Sequence, residues 1–73
     1  KSLNNNHLSV NLQSAQSYLD EALEKFDEMI DFLQNLSEEE LEASVPIGTL
    51  SQIERAQALV FQASSALDKI KLP

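Results

Sequence analysis

The feature that most constrains the fold is a repeat of apolar residues with helical spacing, which runs from residue 9 to residue 36. In a heptad that starts with Leu12 at position a, apolar side chains fill the a and d positions without interruption, and Ser9 precedes them as a candidate N-cap. Apolar residues at e and g make the stripe wider than the a/d seam of a coiled-coil dimer. The pattern predicts one long helix that packs against at least two neighbours. The stripe comprises Leu12, Ala15, Leu19, Ala22, Phe26, Met29, Leu33 and Leu36 at a and d, Leu23 and Ile30 at e, and Tyr18 and Phe32 at g.

A second apolar repeat predicts another helix from residue 50 to about residue 71. Thr49 and Gln52 have the spacing of a capping box at its start, and Pro73 follows its end. Its alanines leave one side thin enough for another backbone to approach closely. The stripe comprises Ile53, Val60 and Leu67 at a, Ala56, Ala63 and Ile70 at d, Leu50 at e, and Leu59 and Ala66 at g.

The segment between these helices, residues 37–48, contains the signals of a short helical turn followed by a break. Ser37 and Glu40 have the spacing of a capping box, which predicts a turn of helix through residue 43. Pro46 disfavours helical backbone at Val45, and Gly48 permits a positive φ. Two long helices joined in this way form an antiparallel hairpin.

Length and residue inventory limit how stable such a hairpin is by itself. The chain has 73 residues and no cysteine, and a core of this size rarely contributes more than about 3–5 kcal/mol without a disulfide or a metal. The first eight residues are mostly polar, aperiodic and include a run of asparagines, so they predict a flexible N-terminal arm, residues 1–8, ahead of one all-α domain, residues 9–73. We expect another chain to complete a helical bundle with it, because one hairpin cannot cover two broad stripes.

The net charge of −7 is concentrated in one part of the sequence. Ten of the twelve acidic residues lie between positions 20 and 42, where Lys25 is the only basic residue. We interpret this run as a solvated helix face, with Glu21 and Lys25 at a favourable i,i+4 spacing; an acidic docking patch for a basic partner is the alternative. Direct binding to nucleic acid is not expected, because that affinity comes from Lys and Arg beside phosphates.

The sequence lacks the residue sets that catalysis or metal binding requires. Its single histidine, His7, falls in the predicted arm, there is no cysteine, and only one glycine is present. No apolar run approaches the roughly 18 residues of a membrane span. We therefore expect neither an enzyme nor a cofactor, metal or membrane partner.

Four residues stand out as candidate protein contacts. Phe61 falls at position b, on the flank of the second stripe, while Phe32 and Leu59 lie at stripe edges and Tyr18 on the rim. Phe61 is the first candidate for a partner contact. Its alternative role is that of a partly exposed aromatic side chain covered by the interhelical segment.

Three segments of the chain carry a family resemblance: residues 26–30 (FDEMI), the acidic linker with Leu36 and Leu41, and residues 50–63 (LSQIERAQALVFQA). Over roughly residues 18–72 the sequence resembles the small helical proteins of the nuclear exosome-cofactor and ribosome-processing family, the C-one-D and Rrp-forty-seven type. Gln52 stands where that family usually has proline, and the family's basic tail is not present before Pro73.

The resemblance implies a nuclear adaptor whose helices interleave with those of a partner nuclease. Any RNA contact would lie outside this segment. The family pattern is most recognisable at Arg55 and Ala56, which makes Arg55 a further candidate contact; otherwise it is solvated. Without the resemblance, we expect only an intracellular location.

Three functions follow in order of expectation. The first is a non-catalytic interaction module for a helical protein partner, with the exosome adaptor as its specific form. The second is a subunit of another multiprotein assembly, or a homodimeric bundle. The third is a small carrier of hydrophobic ligands, since a broad apolar stripe can also line a cavity.

Overall fold

The structure, a computed structural model that describes residues 5–72, consists of three helices in a hairpin. Helix α1 is Asn5–Gln34, α2 is Glu38–Ser44 and α3 is Thr49–Asp68. The described residues contain no strand. The predicted all-α class is therefore confirmed.

Helix α1 begins earlier than predicted. Its first residue is Asn5, so Ser9 is an interior residue rather than the N-cap, and residues 5–8 of the predicted arm are helical. The reason is that Leu8 occupies the d position before Leu12, which carries the apolar repeat one turn further back. The Asn11 side-chain amide also donates to the carbonyl oxygen of His7, 2.9 Å away. Residues 1–4 of the arm lie outside the described residues.

The linker forms the turn and the break that its residues predict. The Ser37 hydroxyl accepts from the amide of Glu40, and the Glu40 carboxylate accepts from the amide of Ser37, which completes the capping box of α2. Val45, ahead of Pro46, is extended, with φ −125° and ψ 123°. Gly48 has a φ of 89°, in the left-handed region that suits glycine.

Both ends of α3 differ from the expectation. Thr49 is its first helical residue, and the N-cap is Gly48, which supplies no side-chain hydrogen bond. The helix ends at Asp68, about three residues early: the amide of Lys69 donates to the carbonyls of Ala66 and Leu67, a tighter pattern than an α-helix.

Two hydrogen bonds between side chains define the register of the hairpin. Gln57 of α3 donates to Asp27 of α1 at 2.8 Å, and Gln16 of α1 donates to Asp68 of α3 at 3.3 Å. The residue numbers of each pair add to 84, as expected for antiparallel helices. A residue of α1 therefore lies level with the α3 residue whose number is 84 minus its own. The first eleven residues of α1 extend past the end of α3, about 16 Å at 1.5 Å per residue.

The hairpin is long and thin. Its dimensions are 65 × 14 × 14 Å, and its radius of gyration is 17.6 Å, whereas a compact chain of this length has about 11 Å. Among the described residues Leu33 is the one buried side chain, at 8% exposure, and the other large a-position residues Leu12, Leu19 and Phe26 are half-buried. Two helices alone therefore bury very little of the apolar surface that the sequence supplies.

Candidate interaction surface

The side of each helix that faces its neighbour is centred between positions a and e. On α1 the e residues Gln16, Leu23 and Ile30 are half-buried, whereas Met29 at position d is 41% exposed. On α3 the e residues Gln57 and Ser64 are half-buried as well. Met29, a d residue of the predicted stripe, is therefore left uncovered by α3, because α3 docks toward the e side of α1.

Because the two helices face each other through positions a and e, the d and g positions of both helices lie on one side of the hairpin. In antiparallel helices that face each other through a and e, the d/g flanks lie on a common side and the b/f flanks on the other. We call the d/g side the apolar face. Its apolar residues are Leu8, Ala15, Tyr18, Ala22, Met29 and Phe32 of α1, Ala56, Leu59, Ala63 and Ala66 of α3, and Ile70 just after α3.

The apolar face carries large side chains that the hairpin itself does not cover. Six of them are between 41% and 69% exposed: Leu8, Tyr18, Met29, Phe32, Leu59 and Ile70. None of the described d and g positions of α1 and α3 is acidic, and the only charged one is Lys25. Its ammonium lies 3.4 Å from the carboxylate of Glu28, in place of the predicted pairing with Glu21.

The opposite side, the polar face, carries the charge. It is formed by positions b, c and f of both helices, and all the acidic residues of α1 lie there. At the described positions of this side, no group of three or more His, Asp or Glu side chains is arranged to hold a metal ion. The acidic residues of α1 are Asp20, Glu21, Glu24, Asp27, Glu28 and Asp31.

The five predicted contact residues are divided between these two sides. Tyr18, Phe32 and Leu59 lie together on the apolar face. Phe61, 62% exposed, lies at position b on the polar face. Arg55 is exposed at position c, which points directly away from α1. The structure thus brings three of the five candidates onto one surface.

Phe61 borders a groove of its own. This groove, about 380 Å³, is open to solvent and is lined by Leu23, Asp27, Gln57, Ala58 and Phe61. The hydrogen bond between Gln57 and Asp27 crosses it. The aromatic ring is therefore not covered by the linker, which was the alternative to a partner contact.

A second groove lies at the linker end of the apolar face. About 300 Å³ in volume, it runs between the end of α1 and the segment that leads into α3. Its lining is almost entirely apolar and includes Met29, Phe32, Val45, Pro46 and Ile53. The linker thus extends the apolar face with a recess that an apolar side chain of a partner can enter.

Several residues of the apolar face were not among the predicted contacts. The sequence placed Met29 and Ile70 only as d residues of the two stripes, Ala63 on the thin side of the second helix, and Leu8 in the arm. The repeat shows how wide each stripe is, but not which edge of it the other helix covers. For Leu8 the signal was available, because it continues the d series of α1.

Comparison with protein-family models, with curated proteins and with solved structures finds no significant match. The resemblance to the exosome-cofactor family stays a prediction. No helix among residues 5–72 is both long enough and apolar enough to cross a membrane.

Proposed function

We propose that this chain is a non-catalytic protein–protein interaction module whose apolar face packs against helices of a partner. The observation that carries the proposal is the contrast between six large exposed side chains on one face and a single buried side chain in the described hairpin. A contiguous exposed apolar patch bordered by polar residues is typical of a protein interaction site.

Helix-on-helix packing is the binding mode that suits this surface. The apolar face follows two antiparallel helices, and two further helices laid along it would form a four-helix bundle. Its large residues recur at helical spacing, as Tyr18, Met29 and Phe32 do on α1. Anchors at such intervals suit a rigid helical surface better than an extended peptide.

The distribution of charge supports a partner that approaches from the apolar side. The carboxylates of α1 are exposed on the polar face, where water solvates them, so they need no compensating charge from a binding protein. A helical partner on the opposite side would bury apolar atoms without burying these charges. This arrangement avoids the desolvation cost of unpaired ions.

The exosome-adaptor role is the more specific form of the proposal and rests on the resemblance in residues 18–72. A helical hairpin with one apolar face is compatible with interleaving between partner helices. In that form the partner is a nuclease subunit and the location is the nucleus. A hydrophobic-ligand carrier is less well supported, since the grooves beside Phe61 and Phe32 are open surface recesses.

Retention of proteins on the immobilised chain tests the proposal. Three forms are compared: the unaltered chain, Ala63→Glu on the apolar face and Ala58→Glu on the polar face. Both alanines are exposed on α3, so the same charge is added to the same helix on opposite sides. Circular dichroism verifies equal helix content in all three.

We expect the unaltered chain and Ala58→Glu to retain the same polypeptides from a cell extract, further copies of the chain included, and Ala63→Glu to lose them. Mass spectrometry identifies them, and a nuclease subunit among them would favour the adaptor form. Equal retention by all three forms would contradict the proposal. Native mass spectrometry that reveals a bound small molecule would instead favour the carrier.

A further inference from the structure

We infer that the apolar face binds a second copy of this chain, related by a twofold axis parallel to the helices. In this arrangement α1 of each copy packs on α3 of the other, and both linkers lie at the same end of a four-helix bundle. The inference rests on the proposed function, because it names the occupant of the same surface. Two observations carry it: the order of large and small residues along the face, and the area left exposed.

Three large residues of the apolar face lie level, or within one residue of level, with alanines on the other helix, whereas Leu59 lies level with Lys25 and Phe32 with Gln52. The hairpin register places Tyr18 level with Ala66 and places Met29 within one residue, about 1.5 Å, of the level of Ala56. Toward the end of α3 the sizes are exchanged, and Ile70 lies within one residue of the level of Ala15.

A twofold axis along the hairpin turns this order into complementarity between copies. The axis places α1 of one copy over α3 of the other without changing the level of any residue. Tyr18 then meets the partner copy's counterpart of Ala66, Met29 comes within one residue of that of Ala56, and Leu59 meets that of Lys25, whose methylene stem it can contact. Alternation of large and small side chains across an interface is what allows layers to interdigitate. The face is therefore complementary to itself at Tyr18, Met29 and Ile70.

The other twofold arrangement, with the axis across the helices, fits less well. It lays α1 over α1 with the linkers at opposite ends. Centred on Lys25, midway between Tyr18 and Phe32, it opposes Lys25 to its own counterpart and Phe32 to Tyr18. Like charges would meet at the centre, and large side chains would meet large ones.

The exposed area of the hairpin matches what a stable dimer requires. The accessible surface of the chain is 6093 Å², whereas a compact monomer of this mass exposes about 4,500 Å². The excess of about 1,600 Å² per chain exceeds the roughly 800 Å² that each partner contributes to a standard interface. A standard interface with a second copy on the apolar face would remove about half of this excess without covering the acidic polar face.

Light scattering on the purified chain after size-exclusion chromatography tests the identity of the occupant. We expect a particle of twice the 8.1 kDa chain mass at micromolar concentration. Ala63→Glu should weaken association more than about 100-fold, because it places an unpaired charge at the interface. Ala58→Glu should change it less than about threefold.

A distance between spin labels tests the orientation. The chain has no cysteine, so Ile47→Cys supplies one labelling site in the linker, at a residue that is fully exposed. With the linkers at the same end, the labels of the two copies should lie within about 30 Å, roughly the width of the bundle. With the linkers at opposite ends, they would be offset by about 36 Å along the axis alone.

The outcomes separate this inference from the proposed function. A chain that stays monomeric up to about 100 μM overturns the second copy as occupant of the apolar face. The proposed interaction module is then tested by the retention experiment alone. A dimer that Ala63→Glu and Ala58→Glu affect equally places the interface elsewhere and overturns the inference. A dimer with the long label distance overturns the orientation.

Discussion

Gln57 of α3 donates a hydrogen bond of 2.8 Å to the Asp27 carboxylate of α1, and this contact lies on the polar side of the hairpin seam. Gln16 and Asp68 repeat the same pairing of residue types about 16 Å further along, with the amide on the other helix, at 3.3 Å. The two bonds share one register. They lie on the side opposite the apolar face, where they leave that face free.

The first prediction concerns the stability that the Gln57–Asp27 bond supplies. Gln57→Ala should lower the free energy of unfolding by about 0.5–1 kcal/mol relative to Gln62→Ala, because the bond is charge-assisted but solvent-exposed. Gln62 is exposed on the same helix, so the change in helix propensity cancels. Urea unfolding followed by circular dichroism measures the difference, and equal values for the two variants would contradict a stabilising bond.

The second prediction uses the one buried side chain of the described hairpin. In monomeric samples Leu33→Ala should cost about 2–3 kcal/mol of unfolding free energy, the low end for a buried leucine, because a two-helix core is thin and can relax. Leu59→Ala is the matched control. Its side chain is 58% exposed, so the cost should stay below about 1 kcal/mol. Equal costs would mean that Leu59 is covered within the monomer.

The third prediction concerns the backbone at the start of α3. Gly48→Ala should destabilise the chain by about 1–2 kcal/mol, because an L-residue is strained at a φ of 89°. No atom lies within 4 Å of the position that its Cβ would occupy, so the cost is conformational rather than steric. Gly48→Asn should lose less, since asparagine tolerates this region better. Thermal unfolding of the three proteins gives the order.

The helices and the linker followed from local chemistry that the sequence displays. The capping box at Ser37, the extended residue before Pro46 and the positive φ of Gly48 each depend on neighbours within a few positions. Helix ends were less predictable. Ser9 satisfied the preference for an N-cap, yet Leu8 continued the apolar repeat, and the longer helix prevailed.

The arrangement of the candidate site was only partly readable from the sequence. Leu59 and Phe61 are two residues apart, and 200° of helical rotation places them on nearly opposite sides of any helix. That signal was available before the structure. What the sequence did not specify was which edge of each stripe the other helix covers. Which edge is covered depends on how α1 and α3 dock. Because α3 covers the e edge of α1, Met29 at position d stays exposed.

The fourth prediction compares two phenylalanines of almost equal exposure on the two faces. Phe32 is 64% exposed on the apolar face, and Phe61 is 62% exposed on the polar face. Phe32→Ala should weaken binding of the partner at least tenfold, since a buried aromatic anchor at an interface is worth more than about 1.4 kcal/mol. Phe61→Ala should weaken it less than about threefold.

Analytical ultracentrifugation measures both variants against the unaltered chain when the partner is a second copy, and titration calorimetry does so for any other partner. The matched truncation removes the same aromatic ring from each face, so a general loss of apolar area affects both equally. The reverse order, with Phe61→Ala the more damaging, would place the partner in the groove beside Leu23 and Ala58. That groove is crossed by the Gln57–Asp27 bond, so Gln57→Ala would then alter binding as well as stability.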